Sequence, residues 1–136
     1  LIEKYELELE EAEAEIALKH KSLEDANKEQ GDLMLRYMRL YAECKNVVKY
    51  LDIRADSIRA GEFKRIKDNS NRDLADRVID KYVDGEQILV DHMAFVIEMR
   101  NLEDKLGAVV EAIKMRGYAL NNITRARIEG VHMAVL

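Results

Sequence analysis

A heptad of apolar residues runs through the first 58 positions, and the 136-residue chain has no proline to interrupt it. Steps of three and four from Ile2 lead through Tyr5, Leu9, Ala12, Ile16, Lys19, Leu23, Ala26, Gln30, Leu33, Tyr37, Leu40, Cys44, Val47, Leu51, Arg54 and Ile58. Only Lys19, Gln30 and Arg54 spoil the stripe. Such a period winds one helix around another. A straight helix of this span would reach about 85 Å, whereas a compact chain of this size has a radius of gyration of about 14 Å. The pattern therefore predicts a rod that does not fold back on itself and needs further copies to cover its seam. The expected fold class is all-α, with long heptad-patterned helices joined by a basic loop and assembled into an oligomeric ring or barrel.

Composition agrees with a helical protein. Charged residues make up 36% and aromatics 6%, and six glycines leave few turn signals. The first helix is expected over residues 1–59, ended by Ala60-Gly61. Gly31 is its weak point, because glycine costs about 1 kcal/mol against alanine in a helix interior. A break there would give a hairpin, but Ala26, Gln30, Leu33 and Tyr37 keep one phase across it, which favours a single helix. Residues 60–83 read as a loop, Gly61 to Asn71, and a short helix from Arg72 to Tyr82 with Leu74, Val78 and Tyr82 on one face. A second long helix is expected over 84–129, capped by Asp84 with Gln87. Its stripe is Ile88, His92, Phe95, Met99, Leu102, Leu106, Val109 and Ile113, with a kink near Gly117 before Leu120 and Ile123. Residues 130–136 form an apolar tail. The whole is one helical domain.

No apolar run approaches the roughly 20 residues that span a bilayer, so no membrane association is expected, and no signal peptide opens the chain. Leu1 in place of methionine leaves an upstream start or a missing initiator open. No catalytic motif, phosphate-binding glycine loop or cysteine pair is present, and His20, His92 and His132 share no ligand spacing. His92 and Cys44 sit on apolar seams and read as packed residues. The chain is thus read as a non-enzyme with no cofactor and no metal.

Charge is the remaining functional signal. The net charge is -5, but it is unevenly spread. Residues 1–29 hold ten acids against four lysines, whereas residues 112–128 hold Lys114, Arg116, Arg125 and Arg127 and no acid. Around the predicted helix end lie Arg54, Arg59, Lys64, Arg65 and Lys67. The plain reading of such cations is a solvated helix face with ion pairs. The functional one is a polyanion surface, since an acid-free run repels itself until an anion settles on it. Tyr118 or Phe63 could add base stacking, worth about 1–3 kcal/mol per base.

The segment Glu111-Ala112-Ile113-Lys114-Met115-Arg116-Gly117-Tyr118-Ala119-Leu120-Asn121-Asn122-Ile123 resembles the C-terminal end of the UvsY-type recombination mediators of T4-like phages, with their AIK-x-RG-aromatic-A run. Asp80-Lys81-Tyr82-Val83-Asp84-Gly85-Glu86 is similar to that family's KYLDADE-like lead into its last long helix. Together they cover about the last 55 residues in order. The family also shows a basic, tyrosine-rich segment at the end of its first helix, implicated in single-stranded DNA binding. Here Ile53 to Gly61 keeps Arg54 and Arg59 but lacks the tyrosine pair, so the carried-over DNA role falls on those two arginines.

The resemblance implies a ring-like homo-oligomer of six or seven subunits in the cytoplasm of the infected host cell. It implies single-stranded DNA, the phage single-strand-binding protein and a RecA-like recombinase as partners, and no catalysis. The candidate DNA contacts are Arg54, Arg59, Lys64, Arg65, Lys67, Lys114, Arg116, Tyr118, Arg125 and Arg127. The rival expectation is a non-enzymatic coiled-coil scaffold or prefoldin-like chaperone, binding proteins through apolar surfaces such as the Val131–Leu136 tail.

Overall fold

The computed structural model describes residues 1–70 and 73–135, with side chains described through Gly130. The described residues form four helices and no strand: α1 (Ile2–Ile16), α2 (Leu23–Asn69), α3 (Asp76–Asp84) and α4 (Gln87–Val135). They fall into two compact units, one of Leu1–Glu43 with Leu102–Leu136, the other of Cys44–Asn101. Among the described residues no helix is long and apolar enough to cross a membrane.

In the first unit the expectation of an unbroken first helix is overturned. The chain leaves the helix after Ile16, turns through Ala17 to Ser22 and re-enters as α2, so α1 folds back along α2. His20 takes φ 66°, the left-handed region in which histidine, like asparagine and aspartate, is enriched among residues other than glycine. Ser22 then caps α2, its Oγ accepting the Asp25 amide at 3.1 Å. The seam is covered from within the chain: Tyr5, Ala12, Ala26, Leu33 and Tyr37 are buried together with Leu102, Leu106, Val110, Ile113 and Leu120 of α4. α2 runs through exposed Gly31 without a break. Tyr41 lies against Gly107, where an added Cβ would come within 3.2 Å of its ring.

Ion pairs add to this apolar packing and set its register. Arg36 on α2 reaches Glu8, Glu11 and Glu15 of α1, with its Nη1 donating to Glu15 at 2.7 Å. The hydrogen bonds to Glu8 and then Glu15 raise the guanidinium's affinity for its proton above the ordinary value. At the other end Lys4 Nζ and Tyr5 Oη both donate to Glu43 at 2.9 Å. Burial pushes the Tyr37 phenol up to about 12. The acidic arm is therefore partly a set of partners for α2, not only a solvated face.

In the second unit α2 does not stop at Ala60-Gly61 but continues to Asn69. A Cβ built on Gly61 would meet nothing within 4 Å, so no close packing requires glycine there and its cost to the helix is conformational. Phe63 and Ile66, two and five residues further on, pack on the cluster of Ile79, Val83 and Leu89 with Ile58, Leu74 and Met93. Their burial outweighs the glycine. α3 begins at Asp76 and buries Ile79 and Val83, one residue round from the Leu74–Val78–Tyr82 face read in the sequence, and Tyr82 is exposed. Asn71 and Arg72 lie outside the described residues, as do the side chains of the Val131–Leu136 tail. The Asp84–Gln87 cap is absent: α4 starts at Gln87, whose Nε2 donates to Asp91 at 2.6 Å. α4 passes Gly117 unbroken and buries Leu89 and Val96, not Ile88 and Phe95. His92 Nε2 lies 2.8 Å from the Leu51 carbonyl, and Cys44 Sγ donates to Met99 O at 3.8 Å, both as packed seam residues.

Candidate nucleic-acid interface

The ten candidate residues separate by what each side chain already holds. Arg116 leaves the set. It is only 4% exposed, and its guanidinium donates to the carbonyls of Ile16 at 3.0 Å and Ala26 at 3.2 Å and to Gln30 Oε1 at 2.6 Å. Ile16 is the last residue of α1 and Ala26 lies in the first turn of α2, so one side chain from α4 ties both sides of the α1–α2 turn. Gln30 completes the joint by donating from Nε2 to Ile113 O at 2.7 Å. Gly117 makes room for it, since a Cβ there would sit 2.9 Å from Gln30 Nε2. The Arg116-Gly117 pair at the heart of the family-like segment is thus a structural fastening. Gln30, read as a polar break in the seam, is its acceptor.

Lys114 is also engaged. Glu111, one turn earlier on α4, holds its Nζ at 3.1 Å. The run Lys114–Arg127 is therefore not a set of four uncompensated cations, because a boundary drawn at residue 112 hides the acid just before it. Arg65 is held by Glu62 at 2.8 Å and Glu86 at 3.0 Å, which together raise its affinity for the proton. Arg59 lies 3.8 Å from Asp56, a loose exposed pair. Phe63 is half-buried in the second unit's core with Lys67 Nζ 5.8 Å above its ring, so it offers no face for a base.

What remains is exposed. Arg54 and Lys64 on α2 and Arg125 and Arg127 on α4 hold no ion pair among the described residues, and Lys67 touches only the Phe63 ring. On α2, Lys64 and Lys67 fall on one face with Lys49, at helical spacings. Tyr118 is 65% exposed and about two turns before Arg125 on the same helix. Arg54, Lys64 and Lys67 belong to the second unit, and Tyr118, Arg125 and Arg127 to the first. Lys49 lies outside the basic stretch that stands out in the sequence, because only the continuation of α2 to Asn69 sets it on one face with Lys64 and Lys67. Among the described residues no cluster of three or more histidine, cysteine, aspartate or glutamate side chains could hold a metal ion.

The chain matches no family model, no curated protein and no solved structure.

Proposed function

We propose that this protein is a non-enzymatic recombination mediator. It would bind single-stranded DNA as a homo-oligomeric ring and help a RecA-like recombinase replace the single-strand-binding protein on the strand. The observation that carries the reading is the set of exposed cations that hold no ion pair among the described residues, Arg54, Lys64, Lys67, Arg125 and Arg127, in a chain whose net charge is -5. Evenly solvated acids and bases would pair along the helices, as Lys28–Glu24 and Lys114–Glu111 do. Exposed Tyr118, two turns before Arg125 on the same side of α4, adds a face on which a base can stack without sequence preference. Support also comes from the resemblance of the last 55 residues to UvsY-type mediators, whose AIK-x-RG core here forms a fastening in the fold.

Fluorescence anisotropy of labelled oligo-dT at low and raised salt tests this. Binding at micromolar protein that weakens steeply with salt is expected, because phosphate neutralisation releases counterions. No binding at low salt would remove the DNA reading. The rival, a coiled-coil scaffold or holdase, draws on exposed Tyr50 and Ile53 of α2 and Met115 of α4. It predicts that Arg125→Ala/Arg127→Ala leaves binding untouched, whereas the mediator reading predicts a loss of affinity.

A further inference from the structure

In the first unit α1 and α4 leave a groove of about 540 Å³ between them, and α2 contributes none of its lining. Its floor and walls are apolar and mostly small: Leu9, Ala12 and Ile16 from α1, Ala108, Val109 and Ala112 from α4. Alanines let an incoming helix approach closely. Glu6, Glu10 and Glu13 stand along one rim and its extension, with Lys105 opposite. None of the three glutamates has an ion pair among the described residues, unlike Glu8, Glu11 and Glu15 on the other flank of α1. A helix seated here should be apolar along one ridge and cationic beside it.

The chain itself carries such a ridge. α2 buries Ala26, Leu33 and Tyr37, and helical periodicity puts Leu35, Met38 and Ala42 on its opposite side. Leu35 is 51% and Met38 48% exposed, two large apolar side chains on one face. Arg39 lies within the ridge, exposed and without an ion pair among the described residues. Charge and shape therefore match between the α2 ridge and the α1–α4 groove, but the two lie on different sides of one bundle, so no chain can join its own.

We infer that the α1–α4 groove receives the Leu35–Met38–Ala42 ridge of a second copy, with Arg39 against Glu10 and Glu13. This deepens the self-association in the proposed function by naming its surfaces. It also fixes the symmetry class. Two different patches meet, so the contact is heterologous, and successive copies close into a ring or continue as a filament.

The test uses full-length variants in sedimentation velocity. Wild type is expected to associate. Leu35→Asp/Met38→Asp removes the ridge and Ala108→Arg fills the groove, and each is expected to raise the dissociation constant about thirtyfold or more. Mixed one to one, the two variants should recover a dimer and stop there, because only one intact ridge and one intact groove remain. Arg39→Glu should weaken assembly, and Glu10→Lys/Glu13→Lys should restore it when combined with it. Circular dichroism checks that each variant is helical, and the Arg39 pair decides if one is not. A monomeric wild type, variants that assemble as before, or a mixture that stays monomeric would each overturn the inference. Oligo-dT binding is read on the same samples. Assembly by these surfaces without DNA binding sinks the mediator reading alone, and DNA binding with unaltered assembly sinks this one alone.

Discussion

At Arg116, chemistry and packing meet in one side chain. Its replacement by alanine leaves the carbonyls of Ile16 and Ala26 and the amide oxygen of Gln30 without their donor. Breaking a buried charged network by removing one partner costs about 3 kcal/mol or more. Thermal unfolding should show that loss, and Arg116→Lys should recover little of it, because an ammonium cannot span three acceptors with a planar fork. DNA affinity per folded molecule should stay as in wild type; a selective loss of affinity in a fully stable Arg116→Ala would contradict the structural role. Gly117→Ala acts on the same joint. The added methyl pushes Gln30 from Ile113 O, at about 1 kcal/mol. Combining it with Gln30→Ala should give less than the sum of the two losses, since both report one contact. The sequence made Arg116 a DNA candidate because charge is visible in a string of letters and burial is not. Its place on the buried stripe, three residues after Ile113 and four before Leu120, with glycine next to it, was the available hint.

At the scale of elements, the heptad predicted the helical class, the start of the first helix and most of the seam, yet misplaced where the first helix ends and the later ones begin. Ile16 and Leu23 are seven residues apart, so the six residues that turn between the helices leave the phase intact. Phase therefore could not reveal the turn. The local signal was Ser22 with Asp25 three residues on, preceded by Lys19 on the seam. Ser22→Ala should cost about 1 kcal/mol in thermal unfolding. Gly61 misled in the other direction, because what decides the α2 end is the burial of Phe63 and Ile66, which depends on α3. The docking of α1 also has a pH signature. Lys4 and then Tyr5 hold the Glu43 carboxyl below its usual range. A depressed folded pKa contributes stability above the unfolded value, and this is lost as pH falls through the folded value, so the window lies below about pH 4. Glu43→Gln should melt lower than wild type at neutral pH, and the difference should close on acidification. A gap independent of pH would rule out this linkage.

For the whole molecule, charge segregation was legible from the sequence, but the identity of the free cations was not, because counter-ions arrive from neighbouring turns and helices. Glu111 takes Lys114, and Glu62 and Glu86 take Arg65. The remaining cations are divided between the two units, so a strand contacted by both should report them as separate contributions. Each phosphate neutralised on a single strand contributes about 0.7 to the slope of log affinity against log salt. Arg54→Ala/Lys64→Ala/Lys67→Ala should therefore reduce the slope by about 2, and Arg125→Ala/Arg127→Ala by about 1.4. Lys114→Ala and Arg65→Ala should change it far less, because their charges are already answered within the fold. Titrations of oligo-dT at four salt concentrations measure all of these slopes. If only one group of substitutions lowers the slope, the strand touches one unit alone. If the paired Lys114 and Arg65 lower it as much as the free cations do, intrachain pairing does not select the DNA contacts, and the assignment of this surface fails.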